Sequence, residues 1–128
     1  MLTALPDLGK WLEDVGPEIA VVQAMLRAPL SDNPRSLVEQ LTEAESWYGR
    51  VMTLLADANS YLDLAEQEQL GLIDKSLTVL ERQTALAAAV FQERRLRDIL
   101  EGLAEALKNR TMLGMNLRRQ AVGERTEF

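Results

Sequence analysis

The chain contains neither cysteine nor histidine. Together these absences remove disulfides, thiolate nucleophiles, imidazole acid–base catalysis and the usual zinc sites. Few common enzyme mechanisms survive, so no catalytic activity, cofactor or small-molecule substrate is expected. Aromatic residues make up only 5% of the sequence, and after Tyr61 only Phe91 and Phe128 remain. Platforms for base stacking are correspondingly scarce. No apolar run approaches the roughly 18 residues that a membrane span requires. Met1 to Asp7 has no basic segment ahead of an apolar one, and the expectation is a cytoplasmic protein without membrane contact. Proline is limited to Pro6, Pro17, Pro29 and Pro34, which confines helix breaking to the N-terminal region.

What is present is helical periodicity. The 128 residues are 47% apolar, enough for one modest core, so residues 1–128 read as a single domain. From Leu37 to Ala65 apolar residues recur at alternating spacings of four and three: Leu37, Leu41, Ala44, Tyr48, Val51, Leu55, Ala58, Leu62 and Ala65. This is a heptad seam, and a stripe so regular buries itself against another long helix. The helix carrying it is expected over 34–70, opened by Asn33 as cap and Pro34 at the first helical position. Trp47, Leu54 and Tyr61 form a further column spaced by seven. That column widens the stripe beyond a two-helix seam, so a third element must cover it: the N-terminal pieces or another subunit. Gly49, within the same helix, marks a candidate site of close helix approach.

Residues 1–33 are expected to form two short helices, because Gly16 and Pro17 interrupt them. Asp7 would cap the first, running to Val15, and Pro17 would open the second, running to about Ala28. After Gly71 a third helix is expected over 74–119, capped by Asp74. It carries Leu77, Leu80, Thr84, Ala87 and Phe91 in one phase and Leu96, Leu100, Leu103 and Leu107 in another, with polar Gln92 to Arg95 between. Such a phase shift marks local rewinding or a change of packing partner. Gly102 and Gly114 weaken its second half, and residues 120–128 are expected to fray.

Charge is unevenly distributed. Residues 1–74 hold 4 basic and 13 acidic side chains, whereas residues 75–128 hold 10 basic and 7 acidic. The split favours antiparallel pairing of the halves, head-to-tail assembly, or display of the basic half to an anionic partner. Arg97, Lys108 and Arg119 recur every eleven residues, close to three helical turns, and Arg94, Arg95, Arg110 and Arg118 lie nearby. A row of this kind can neutralise successive phosphates or pair with neighbouring carboxylates.

Other local patterns do not make sites. Asp57, Asn59, Tyr61, Asp63 and Glu68 have the spacing of calcium ligands in an EF-hand loop, but Leu62 stands where that loop needs glycine. The carboxylate pairs Glu39 with Glu43 and Glu101 with Glu105 read as solvated helix face. Trp47-Tyr48-Gly49 matches the tripeptide of the WXG100 hairpins, yet it lies inside a helix rather than at a turn.

Taken together, Glu43 to Arg119 resembles in layout the UvsY-like recombination mediators of bacteriophages. The resemblance rests on an alanine- and glutamate-rich helix (Glu43-Ala44-Glu45 through Ala65-Glu66), a short break, and a long helix with Glu-Arg pairs. That helix ends in Leu103-Ala104-Glu105-Ala106-Leu107-Lys108-Asn109-Arg110, followed by Met112 to Arg119. It implies a homo-oligomer, in a bacterial or phage-infected cell, that binds single-stranded DNA and loads a recombinase onto strands occupied by single-strand-binding protein. Arg94, Arg95, Arg97, Lys108, Arg110, Arg118 and Arg119 would then touch phosphates. The alternative is a pure protein-interaction module, such as a phage structural adaptor, chaperone or inhibitor, engaging its partner through the Trp47, Leu54 and Tyr61 column or an acidic surface. Either way the expected fold is all-α: a long antiparallel helical hairpin with short N-terminal helices, a coiled-coil-like bundle, assembling through its third helix.

Overall fold

The computed structural model describes the backbone of residues 6–126 and the side chains of residues 6–120. Among the described residues there are four helices and no strand: α1 (Leu8–Arg27), α2 (Pro34–Leu72), α3 (Val79–Ala89) and α4 (Phe91–Thr126). None is long and apolar enough to cross a membrane.

The expected hairpin is formed by α2 and α4, which pack along their lengths. Their antiparallel register is fixed by contacts at both ends: Leu41 lies against Gly114, and Glu66 bonds Arg94 at 3.3 Å. The seam behaves as its periodicity requires. Leu37, Leu41, Ala44, Val51, Ala58 and Leu62 are buried, and Tyr48 and Leu55 are half-buried. Of these, Ala44, Tyr48, Val51, Leu55 and Ala58 share one core cluster with Leu96, Leu100, Leu103, Ala104 and Leu107 of α4. Full burial of a leucine such as Leu100 or Leu107 contributes about 1.5–3 kcal/mol from removal of apolar surface from water.

The N-terminal region departs from expectation. Instead of two short helices, α1 is one helix that carries Pro17 inside it. Proline there removes one backbone donor and normally costs about 3 kcal/mol. The offset lies in the continuous apolar stripe of Trp11, Val15, Ile19, Val22 and Leu26, which docks on the core as one face, while Gly16 and Pro17 stay at the surface. The Trp11 ring stacks obliquely on Tyr61, centroids 5.4 Å apart and planes at 53°. The Tyr61 hydroxyl donates to the Pro6 carbonyl, and Arg50 makes a two-pronged bond to Glu18 at 2.8 and 2.9 Å. Helix α1 thus runs antiparallel to α2 and supplies the third element that the Trp47, Leu54 and Tyr61 column demands.

The turn into α2 follows expectation, with Asn33 Oδ1 accepting from the Arg35 N–H at 3.0 Å. Gln40 ties the turn down, donating to the Pro29 carbonyl at 3.1 Å and accepting from the Ser31 N–H at 2.8 Å. The expected long third helix, by contrast, begins later and is split. Asp74 does not cap it; its carboxylate accepts from the Ser76 N–H at 2.9 Å within the loop. Thr78 is the cap, its hydroxyl accepting from the Glu81 N–H and donating to the Glu81 carboxylate at 2.9 Å, which satisfies one of the free backbone donors of the first helical turn. The split falls at Val90, just before the phase shift. Val90 has φ −110° and ψ 23°, while its N–H still bonds the Leu86 carbonyl and its carbonyl still accepts from Arg94. The backbone leaves helical geometry for one residue and loses little hydrogen bonding. At the other end α4 extends to Thr126 rather than ending near residue 119, and residues 127 and 128 of the tail expected to fray lie outside the described residues.

Close approach occurs at a different glycine from the one expected. A Cβ on Gly49 would meet nothing within 4 Å. One on Gly114 would lie 3.1 Å from Leu41 Cγ and collide with the adjoining methyl group. Gly114 is therefore a packing residue, not a weak point in the helix.

Candidate interaction surfaces

The seven basic residues proposed from sequence share one helix but not one task. Arg94 is committed to Glu66 across the hairpin. Arg97 bonds Asp98 at 3.0 Å and approaches Glu101 at 3.9 Å. Arg110 donates to the Ala28 carbonyl at 2.8 Å, placing a guanidinium at the C-terminus of α1, where the helix dipole favours positive charge. Its Nε is buried without a partner. Arg95, Lys108, Arg118 and Arg119 are exposed and make no ion pair among the described residues. The expected alignment of Arg97, Lys108 and Arg119 follows from the continuity of α4. Arg110, however, lies about 220° around the axis from Arg97 at ~100° per residue, on the flank occupied by α1.

The Trp47, Leu54 and Tyr61 column is not an open surface. Leu54 and Tyr61 are buried, Trp47 is half-buried, and all three belong to the core that α1 covers. The interface expected there is therefore internal packing. Removal of the Tyr61 phenol from water, helped by the negative charges of Asp57 and Asp7, pushes its pKa above the ordinary tyrosine value.

Two surfaces emerge that sequence reading did not isolate. The first surrounds the joint at Val90. Helix α3 buries none of its residues; Val79 and Leu80 are 69% and 72% exposed, and Leu64, Leu70 and Leu72 in the last part of α2 are exposed as well. Phe91, 60% exposed, stands at the edge of a groove of about 500 Å³ lined by Ala87, Arg94, Arg95, Asp98 and Ile99. The sequence signal was the first apolar phase of the third helix. Periodicity placed Leu77, Leu80, Thr84, Ala87 and Phe91 on one face but could not say whether anything covers it.

The second surface is the edge of the hairpin away from α1. There a slot of about 270 Å³ is lined by Glu45, Tyr48, Lys108, Thr111 and Met112. Its walls combine an apolar floor with one acid and one base from opposite helices.

These features define an all-α helical hairpin bundle with two exposed, partly apolar faces. No protein-family model, curated protein or solved structure matches the chain.

Proposed function

We propose that the chain is a non-enzymatic helical interaction protein whose working surface is the joint around Val90. The observation carrying this reading is that α3 buries none of its residues and leaves Val79 and Leu80 in solvent, as Phe91 is at the start of α4 and Leu70 and Leu72 are at the end of α2. Clustered exposed apolar residues are the ordinary mark of a surface completed by a partner. Arg95, which makes no ion pair among the described residues, flanks the groove beside Phe91 and Ile99, so the partner is a protein presenting an apolar helical stripe with a carboxylate at its edge. A photo-crosslinker at position 80 identifies it, and binding of the purified partner is then compared between wild type and the Leu80→Glu, Phe91→Glu double variant. At least ~10-fold weaker binding with unchanged helicity is expected, since hot-spot apolar contacts carry about 2 kcal/mol or more each. Binding that survives both charges would refute the joint as the working surface.

A second reading, single-stranded DNA binding by a phage-type recombination mediator that loads a recombinase, is favoured by the exposed cations Arg95, Lys108, Arg118 and Arg119. It requires oligonucleotide binding whose logarithm falls with the logarithm of salt by about 0.7 per phosphate contacted. With four available cations, a slope near 3, reduced by neutralising Arg118 and Arg119, is expected. Absence of oligonucleotide retention at low salt would eliminate this reading.

A further inference from the structure

The α2–α4 hairpin has two edges, and α1 covers only one. On α2 the covered column is Trp47, Leu54 and Tyr61. Val38, Glu45 and Met52, also spaced by seven, lie about 200° away at ~100° per residue, and all three are exposed. On the matching edge of α4, Lys108, Met112, Met115 and Arg119 follow at spacings of four, three and four and are likewise exposed. The slot between Glu45 and Lys108 joins the two rows.

At the slot an acid on α2 faces a base on α4, while one heptad nearer the joint the same α4 rows carry exposed Glu101 and Glu105. Nearer still to the joint, Glu66 of α2 and Arg94 of α4 close such a pair within the chain at 3.3 Å. Glu45 and Lys108 line the same slot, yet no ion pair joins them among the described residues.

We propose that this open edge is a homodimer interface, occupied by a second copy of the chain related by a two-fold axis parallel to the hairpin. Rotation about such an axis preserves height along the helices and exchanges left for right. Helix α2 of one copy then lies over α4 of its partner, and each Glu45 meets the partner's Lys108. The face is self-complementary because its acidic and basic members stand at one height on opposite helices. Between them lie Tyr48 and Met112, with Met52 one heptad further along α2, side chains that supply apolar area with adaptable shape. Val38 to Asp63 spans about 38 Å of helix, and two helices are ~20 Å wide, so roughly 750 Å² per copy is available. A standard interface uses about 800 Å² per partner. This inference is independent of the joint around Val90.

Light-scattering mass and sedimentation equilibrium on the full chain test it. The wild type should be a dimer at micromolar concentration. Glu45→Lys alone and Lys108→Glu alone each place like charges at both contacts, and each should weaken dimerisation at least ~10-fold. An equimolar mixture of the two variants should regain dimers, because opposite charges then face each other at both contacts of a mixed pair. Both positions are exposed, and unchanged circular dichroism verifies folding; Met52→Asp with Met112→Asp provides a second disruption that does not depend on charge reversal. A monomeric wild type, single variants that dimerise as tightly as wild type, or a mixture that stays monomeric would each overturn the proposal.

Discussion

The bundle around Leu54 and Leu107 and the joint around Val90 are built from the same helix-forming residues, yet they bury them differently. In the bundle, α1, α2 and α4 each contribute an apolar stripe, and Val22, Leu54, Leu100 and Leu107 are sealed from water. At the joint only Val90 is sealed, and α3 leaves Val79 and Leu80 in solvent. The bundle has α1 to cover one face of the hairpin, whereas among the described residues no helix covers α3. Apolar content alone therefore does not make a core; a surface must be closed on every side. The joint consequently contributes little to stability while holding its shape through local devices, the Thr78 cap and the Val90 backbone bonds.

The sharpest way to break that comparison is to delete equal volume in both regions. Leu107→Ala should cost about 2–5 kcal/mol, the range for removing a fully enclosed leucine and leaving a cavity. Leu80→Ala should remain within about 0.5 kcal/mol of wild type, because no enclosed space is created. Urea denaturation of both variants measures the difference. Equal losses would mean that α3 is packed in solution as firmly as the hairpin.

A smaller effect separates two glycines of the hairpin itself. Gly49→Ala should raise stability by up to about 1 kcal/mol, since alanine is the better helix former and its Cβ meets open space. Gly114→Ala gains the same propensity but drives a methyl group into Leu41, a buried residue on α2. The overpacking costs about 1–3 kcal/mol, so the net change should be a loss. Thermal melts of the two variants should shift in opposite directions.

What could be read from sequence follows the same division. The seam over Leu37 to Ala65 was legible because a heptad repeat is a property of one helix. The Trp47, Leu54 and Tyr61 column announced that a cover was needed. The identity of the cover was hidden, because Gly16 and Pro17 are local breaking signals and the stripe from Trp11 to Leu26 overrides them only through contact with α2 and α4. The interruption near Gln92 to Arg95 was visible as a change of phase, but its position at Val90 depends on where α4 begins to pack. Arginine roles were the least legible. Whether Arg94 is free or paired depends on interhelical register, which brings Glu66 to it, and Arg110 finds the end of α1 only in the folded chain.

Acid sharpens the comparison with the smallest effect. In the bundle, hydrogen bonding from Arg50 holds the Glu18 carboxyl below its ordinary value of 4.5, against the opposing effect of burial. In the loop that leads into α3, the Ser76 backbone N–H and hydroxyl hold Asp74 below its ordinary value of 3.8. Both carboxylates are depressed in the folded chain. Their contributions are therefore fully present above the unfolded values and are lost as pH falls through the folded ones. The consequences differ by location. Protonating Glu18 releases a partly exposed pair that joins α1 to α2, worth about 0.2–1 kcal/mol after solvent screening, and this should lower the global melting temperature slightly below pH 4.5. Protonating Asp74 loosens only the loop before Thr78. Amide exchange in α3 should quicken there while the global melt is unmoved, and Asp74→Asn should reproduce that faster exchange in part at neutral pH. If Asp74→Asn instead lowered the global melting temperature as much as Glu18→Gln does, the joint would be part of the same cooperative unit as the bundle.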